Sequence, residues 1–325
     1  MFLLTRLKQV YFHEKQTAGI TAALGSAFFL GVSPVLGKMA ITLGLSPLAV
    51  VALRTTFAAL LLFLIVAIFR RPFLYIFPVG LAGCFLAGAI NGLGSVFYYM
   101  ALQRLTASLG QLLYSLYPFF VAIWLILDHQ PPSRLTMLRV GIATVAVLLL
   151  TNVPGSQVDT LGVMMMLIAA ILYAMHLPIN QRVLYEVPAP TVTLYTLLAM
   201  SAVVVPAYLI FDRTWPAAQV PWWPVLGLTL ATFVSRLSLF LGVKHIGGMQ
   251  TALLGLAELL VTIFLGHYWL HERLTVLQWI GALALAMSLL LVRYETASVD
   301  KRGRSGWLSW IRAPEPPRDV WPPYQ

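Results

Sequence analysis

The chain is short of charge. Only 10% of its 325 residues are Asp, Glu, Lys or Arg, and just 11 are acidic, whereas a soluble domain carries about 25% charged residues. A water-facing chain of this length would need polar surface for roughly two domains, and no stretch supplies it. Cysteine is nearly absent: Cys84 stands alone, which excludes an intramolecular disulfide and leaves packing within a span as its expected role. No GxxxxGK[ST] loop occurs, so ATP does not power the protein directly. GxSxG and HExxH are missing too, as is any pair of aspartates within an apolar run, so a membrane enzyme would lack its nucleophile, metal site or carboxylate pair. No repeated filter segment marks a channel.

What is present is apolar length. Sixty per cent of residues are hydrophobic, and runs of about 20 recur from Ala18 to Val292, each enough to cross a hydrocarbon core of roughly 30 Å. The pattern predicts an all-α integral membrane protein with ten transmembrane helices: 18–42, 46–69, 74–102, 106–127, 133–152, 160–184, 190–211, 222–244, 248–270 and 275–293. The net charge of +10 follows from topology and does not argue for nucleic acid. With the N-terminus in the cytoplasm, 14 basic residues fall inside: Arg6, Lys8, Lys15, Arg70, Arg71, Arg134, Arg182, Lys244, Arg293, Lys301, Arg302, Arg304, Arg312 and Arg318. Three fall outside, Arg104, Arg213 and Arg273, a positive-inside bias that puts both termini of a multi-pass protein in the cytoplasm, in the cell (inner) membrane. Met1–Gln16 has no cleavable signal pattern. It reads either as an amphipathic piece on the inner surface or as a plain juxtamembrane leader. Trp215, Trp222, Trp223, Tyr268 and Trp269 fall at outer span ends, as interfacial anchors do.

The two halves repeat each other. Tyr98-Tyr99-Met100-Ala101-Leu102-Gln103-Arg104-Leu105 answers Leu239-Phe240-Leu241-Gly242-Val243-Lys244-His245-Ile246, Arg134-Leu135-Thr136 answers Arg273-Leu274-Thr275, and Gly141 answers Gly281, at separations of 141, 139 and 140 residues. The division is a cytoplasmic leader (1–17), a first five-helix repeat (18–152), a polar loop (153–159), a second repeat (160–294) and a charged, then proline-rich tail (295–325) expected to be disordered. Trp307 and Trp310 of that tail, beside Arg302, Arg304 and Arg312, suit contact with the inner leaflet. Five spans per repeat give the halves opposite orientations, the inverted-repeat plan of alternating-access carriers.

These motifs resemble the EamA-type ten-helix members of the drug/metabolite transporter superfamily. The carriers are Gly31, Lys38, Arg54, Tyr98–Leu105, Pro118, Arg134-Leu135-Thr136 and Gly141 in the first repeat, and Gly242–Ile246, Glu272-Arg273-Leu274-Thr275 and Gly281 in the second. The chain departs from the pattern at Ser133, where the acidic residue before Arg-Leu-Thr is usual, and at Glu258, which answers Pro118. Pro178-Ile179-Asn180-Gln181-Arg182 only loosely repeats Pro34-Val35-Leu36-Gly37-Lys38. The resemblance implies an inner-membrane carrier that exports or exchanges amino acids or related small metabolites, or sometimes drugs. It also implies a central cavity built from helices one, three, four, six, eight and nine. Membrane lipids and a small-molecule substrate are the expected partners, with no cofactor and no metal.

Polar residues inside the spans are the candidates for that cavity, because a charge at mid-bilayer costs roughly 2.5–3.5 kcal/mol on insertion scales. Glu258 falls near the middle of span nine. It either binds an amino group, titrates and couples transport to protons, or pairs with Arg236 of span eight. Arg236 either clamps a substrate carboxylate, which a guanidinium grips with two parallel bonds, or is that structural partner. Lys38 and Arg54 lie toward the outer ends of their spans, where basic chains also snorkel to the headgroups; Arg139 is expected to snorkel inward. His176 and Asn180 flank Pro178, where a helix bends or leaves backbone groups free. Asn91 sits among Gly88, Gly92 and Gly94, which let helices approach closely. Gln111, Tyr114 and Tyr117 share a face of span four, with Trp124 further along. Tyr98 and Tyr99 extend that polar-aromatic wall, which suits either an amphipathic ligand or helix packing. His267 and His271 have metal-compatible spacing but no third ligand.

Overall fold

In a computed structural model of the chain, the described residues are 2–151, 159–212, 221–269, 276, 279–281, 283–284, 287 and 306–311, with side chains described from residue 16 onward apart from 146–151. All regular structure among them is helical: α1 (Phe2–Thr42), α2 (Pro47–Phe69), α3 (Pro78–Arg104), α4 (Ala107–Tyr114), α5 (Tyr117–Leu127), α6 (Arg134–Thr151), α7 (Thr160–Leu184), α8 (Ala189–Phe211), α9 (Trp223–Ile246), α10 (Gly248–Gly255) and α11 (Ala257–Trp269), with one 3-10 turn at Arg71–Leu74. Eight helical segments are long and apolar enough to cross a membrane. Two of the eight are broken: α4 with α5, and α10 with α11. The protein is a multi-pass membrane protein. Residues 276, 279–281, 283–284 and 287 of the tenth expected span are helical, and the rest of that span lies outside the described residues. So do Arg213, Trp215, His271, Glu272-Arg273-Leu274-Thr275 and most of the loop and tail segments.

Local chemistry sets the helix ends. Ser46 caps α2, its Oγ accepting from Ala49 N at 3.1 Å, ahead of Pro47, whose missing N–H costs nothing in a first turn. Thr106 caps α4 by accepting from Leu109 N at 3.2 Å. Asp159 caps α7 by accepting from Leu161 N and Gly162 N at 2.9 and 3.2 Å. Arg104 bonds the same carboxylate at 2.9 Å and, with the two amides, holds it below the usual carboxylate range. In the leader, residues 2–15 continue α1 without a break. A helix of 41 residues spans about 60 Å, twice the hydrocarbon core, so its first turns project from the span.

Between membrane helices, close packing and hydrogen bonds replace the hydrophobic effect. α3 lies against α7 and α8, and α1 against α9 and α11. Gly88 makes the α3–α8 approach possible: a Cβ there would stand 2.5 Å from Thr196 O. Gly31 does the same between α1 and α11, where a Cβ would stand 2.5 Å from Glu258 O. The broken spans cross, α4 packing on α11 and α5 on α10. At the crossing Leu256 N turns to Leu253 O (3.3 Å), and the Tyr117 hydroxyl donates to Ala252 O at 2.9 Å, supplying a bond the broken helix has given up. Trp223 and Trp269 stack at 6.3 Å between centroids and join α9 to α11 at one end of the bundle; both are half-exposed, as are Trp222 and, more so, Tyr268.

Three expectations are corrected. Arg139 does not snorkel: it is fully buried and donates to Gln250 Oε1 at 2.9 Å. Arg54 does not reach for headgroups either, being only 6% exposed. In both cases a neighbouring helix supplies a polar partner that apolar span patterning does not reveal. Residues 306–311 of the expected disordered tail are packed on the helices, with Leu308 fully buried, because Trp307, Leu308 and Ile311 carry enough apolar surface to dock.

Candidate functional site

One cavity gathers three charged residues of the spans, Arg54, Arg236 and Glu258. Its walls are Leu30 and Ser33 of α1, Arg54 of α2, Gly94, Ser95, Tyr98 and Tyr99 of α3, Gln111 and Tyr114 of α4, Tyr173 of α7, Arg236 of α9 and Glu258 of α11. Its volume is about 40 Å³, room for a few water molecules.

Glu258 enters because α10 ends at Gly255 and α11 begins at Ala257, which places the carboxylate in the first turn after the break. The side chain is 2% exposed. The Thr262 hydroxyl lies 2.7 Å from Gly31 O and 2.9 Å from Glu258 O, tying the carboxylate's own backbone to α1. Oε1 of Glu258 is buried without a hydrogen-bond partner in the protein. Glu258 and Arg236 share the cavity. Asn91 and Tyr173 hold Arg236. With its amide oxygen turned toward the guanidinium, Asn91 accepts from Nη1 at 3.0 Å and Nη2 at 3.2 Å, and the Tyr173 ring lies 5.6 Å from the guanidinium carbon. Arg54 donates to Thr232 Oγ1 at 3.1 Å and stacks 4.7 Å over Tyr99. Its Nε and the Tyr99 hydroxyl are also buried without partners.

An aromatic wall completes the site. Tyr98, Tyr114, Tyr117 and Tyr173 form a chain of ring contacts, with centroids 4.9 Å apart from Tyr98 to Tyr114, 5.1 Å from Tyr114 to Tyr173 and 4.9 Å from Tyr173 to Tyr117. The Tyr98 hydroxyl donates to Gln111 Oε1 at 3.2 Å. These rings offer apolar faces with polar tips, beside two guanidiniums and one carboxylate.

The ten candidates divide by place. Glu258, Arg236, Gln111, Tyr114 and Tyr98 line the cavity. Asn91 and Tyr117 stand one contact behind it. His176 is fully buried against Tyr173, with Nδ1 on Tyr173 O. Asn180 donates to His176 O at 3.0 Å and accepts from Thr196 at 3.3 Å, away from the cavity. Lys38 lies elsewhere: its ammonium bonds Leu102 O at 2.8 Å and Leu105 O at 2.7 Å, capping the C-terminal carbonyls of α3. Tyr173, Leu30, Ser33 and Ser95 line the cavity without having been singled out in the sequence, and Arg54, set beside Lys38 as a residue that also snorkels, lines it too. A basic residue eight positions into α2 was the available signal for Arg54; Tyr173 has none beyond its type.

The bundle is one of membrane-spanning helices, two of them broken and crossing beside buried charges. The comparisons agree. The model of the EamA-like transporter family matches residues 17–152 and again 160–294, and the chain belongs to that family. It is 23% identical over 319 residues to an uncharacterized transporter, YcbK, of Bacillus subtilis (strain 168), covering 89% of this chain and 99% of that protein. A crystal structure of a protein superposes with a TM-score of 0.63 at 16% identity, covering 83% of this chain and 99% of the other, which supports the fold alone.

Proposed function

We propose that the protein is a secondary transporter of the cell membrane that exports or exchanges small metabolites, amino acids or related compounds, by alternating access between two inverted five-helix repeats. The observation that carries this reading is the cavity at the crossing of the two broken spans, where Glu258, Arg236 and Arg54 are buried together. Interrupted helices at matching positions of two halves mark the binding site in repeat-built carriers. The breaks after Tyr114 and after Gly255 are 141 residues apart, the spacing of the sequence repeat. Helix contacts follow the same exchange: α1 packs on α9 as α7 packs on α3, and α1 packs on α11 as α7 packs on α5.

Burying two guanidiniums with one carboxylate leaves net positive charge, which is costly unless an anionic group joins it. A substrate carboxylate between Arg236 and Arg54, with its amino group on Glu258, would give each buried charge a partner of opposite sign. Protonation of Glu258 when that amino group leaves would couple the cycle to a proton gradient. A second reading, efflux of aromatic toxic compounds, is favoured by the wall of four tyrosines.

The test is reconstitution into liposomes, with a panel of labelled amino acids and of aromatic drugs measured with and without a pH gradient. Saturable counterflow of an amino acid is expected, and Glu258→Gln should lower gradient-driven accumulation at least tenfold. Unchanged accumulation in Glu258→Gln would rule out coupling through this carboxylate. Counterflow of the drugs alone would favour the second reading.

A further inference from the structure

The segment Gly306–Ile311 lies against the same end of the bundle as Asp128 and Arg182, and three features make the contact specific. Gly306 adopts φ +106°, a conformation that favours glycine, and a Cβ there would stand 2.5 Å from Asp128 O. The segment's backbone therefore runs directly onto the end of α5. Leu308 N donates to Asp128 Oδ1 at 3.1 Å, while Asp128 Oδ2 accepts from Arg182 Nε at 3.0 Å and Nη2 at 2.7 Å. One buried carboxylate thus joins the end of α5, the last turn of α7 and the C-terminal segment. Finally, Leu308 and Ile311 are buried in the main apolar cluster with Val121 and Leu125 of α5 and Val183 of α7. Ile311 lies 3.6 Å from where a Gly83 side chain on α3 would begin, and the Trp307 ring is 6.1 Å from Trp124.

α3 and α5 belong to the first half of the chain and α7 to the second. In a carrier these elements must separate when their end of the bundle opens, and separation would withdraw two apolar side chains from a packed cluster and break the carboxylate's bonds. We propose that residues 306–311 form an autoinhibitory strap that holds this end shut, so that access to the cavity from the strap's side requires its release. The proposal rests on the alternating-access reading.

The experiment needs no known substrate. In a Cys84→Ser background, Ser95→Cys places a reporter thiol on the cavity wall. Its reaction with a charged, water-soluble maleimide is timed in membrane vesicles of both orientations. Ending the chain after Ser305, or introducing Leu308→Asp in the full-length protein, should speed labelling from the strap's side at least tenfold and leave the other side unchanged. Joining Trp124→Cys to Trp307→Cys with a short bifunctional reagent before the maleimide is added should keep labelling slow. Labelling that is unchanged or slower in both the truncated and the Leu308→Asp proteins overturns the strap. So does failure of the Trp124→Cys and Trp307→Cys pair to join. A reporter that never reacts from either side, in any variant, overturns the carrier reading and the strap with it.

Discussion

Two basic residues with nearly the same sequence context do different things. Lys38 and Arg54 both sit in apolar spans toward one end. Depth can be read from such a pattern, but the direction a side chain takes around its helix depends on which neighbour packs there. Lys38 finds the free carbonyls at the end of α3, whereas Arg54 finds Thr232 and the Tyr99 ring inside the cavity. Opposite results are therefore expected on substitution. Lys38→Gln removes charge-assisted bonds worth about 1.5–3 kcal/mol each, so the melting temperature in detergent should fall while affinity for the transported compound stays near wild type. Arg54→Lys keeps the charge but loses the planar face that stacks on Tyr99. It should weaken substrate binding about tenfold or more in counterflow, with little change in melting temperature. The same depth-without-direction limit explains Arg139, expected at the membrane surface and found buried on Gln250. Glu258, Arg236 and Gln111 were legible because a charge or amide in mid-span has few places to go except a cavity.

The broken spans show where element-level reading stops. Pro118 marks the interruption of span four openly, since a proline removes a helix bond. Span nine has no proline, and Leu254-Gly255-Leu256-Ala257 reads as continuous helix. Its break is made by a partner: the Tyr117 hydroxyl takes Ala252 O, and only a glycine at 255 leaves space for it, because a Cβ there would overlap the tyrosine oxygen. Gly255→Ala should therefore cut the yield of folded, monodisperse protein sharply, although alanine is the better helix former. Adding Tyr117→Phe removes the oxygen that the new methyl meets, so the double variant should recover more folded protein than Gly255→Ala alone. If the double variant is no better, the collision does not govern this break. The same logic explains the tail: a charged, proline-rich composition predicts disorder on average, but six residues containing Trp307, Leu308 and Ile311 find a surface that only the assembled α3, α5 and α7 provide.

At the scale of the whole molecule, the positions of individual spans were the most legible features, because a bilayer imposes one length on every crossing element. The expected spans 46–69, 106–127, 160–184 and 190–211 match observed helices to within a residue at each end. Orientation rests on charge bias, which the helices do not record by themselves. Tyr75, after the 3-10 turn, is strongly exposed and belongs to the arginine-rich side with Arg70 and Arg71. Gln103 is exposed near the opposite end of α3. In intact cells a membrane-impermeant maleimide should label Gln103→Cys and spare Tyr75→Cys until the membrane is opened. Labelling of Tyr75→Cys alone would invert the proposed topology. The strapped end of the bundle would then face the outside rather than the cytoplasm.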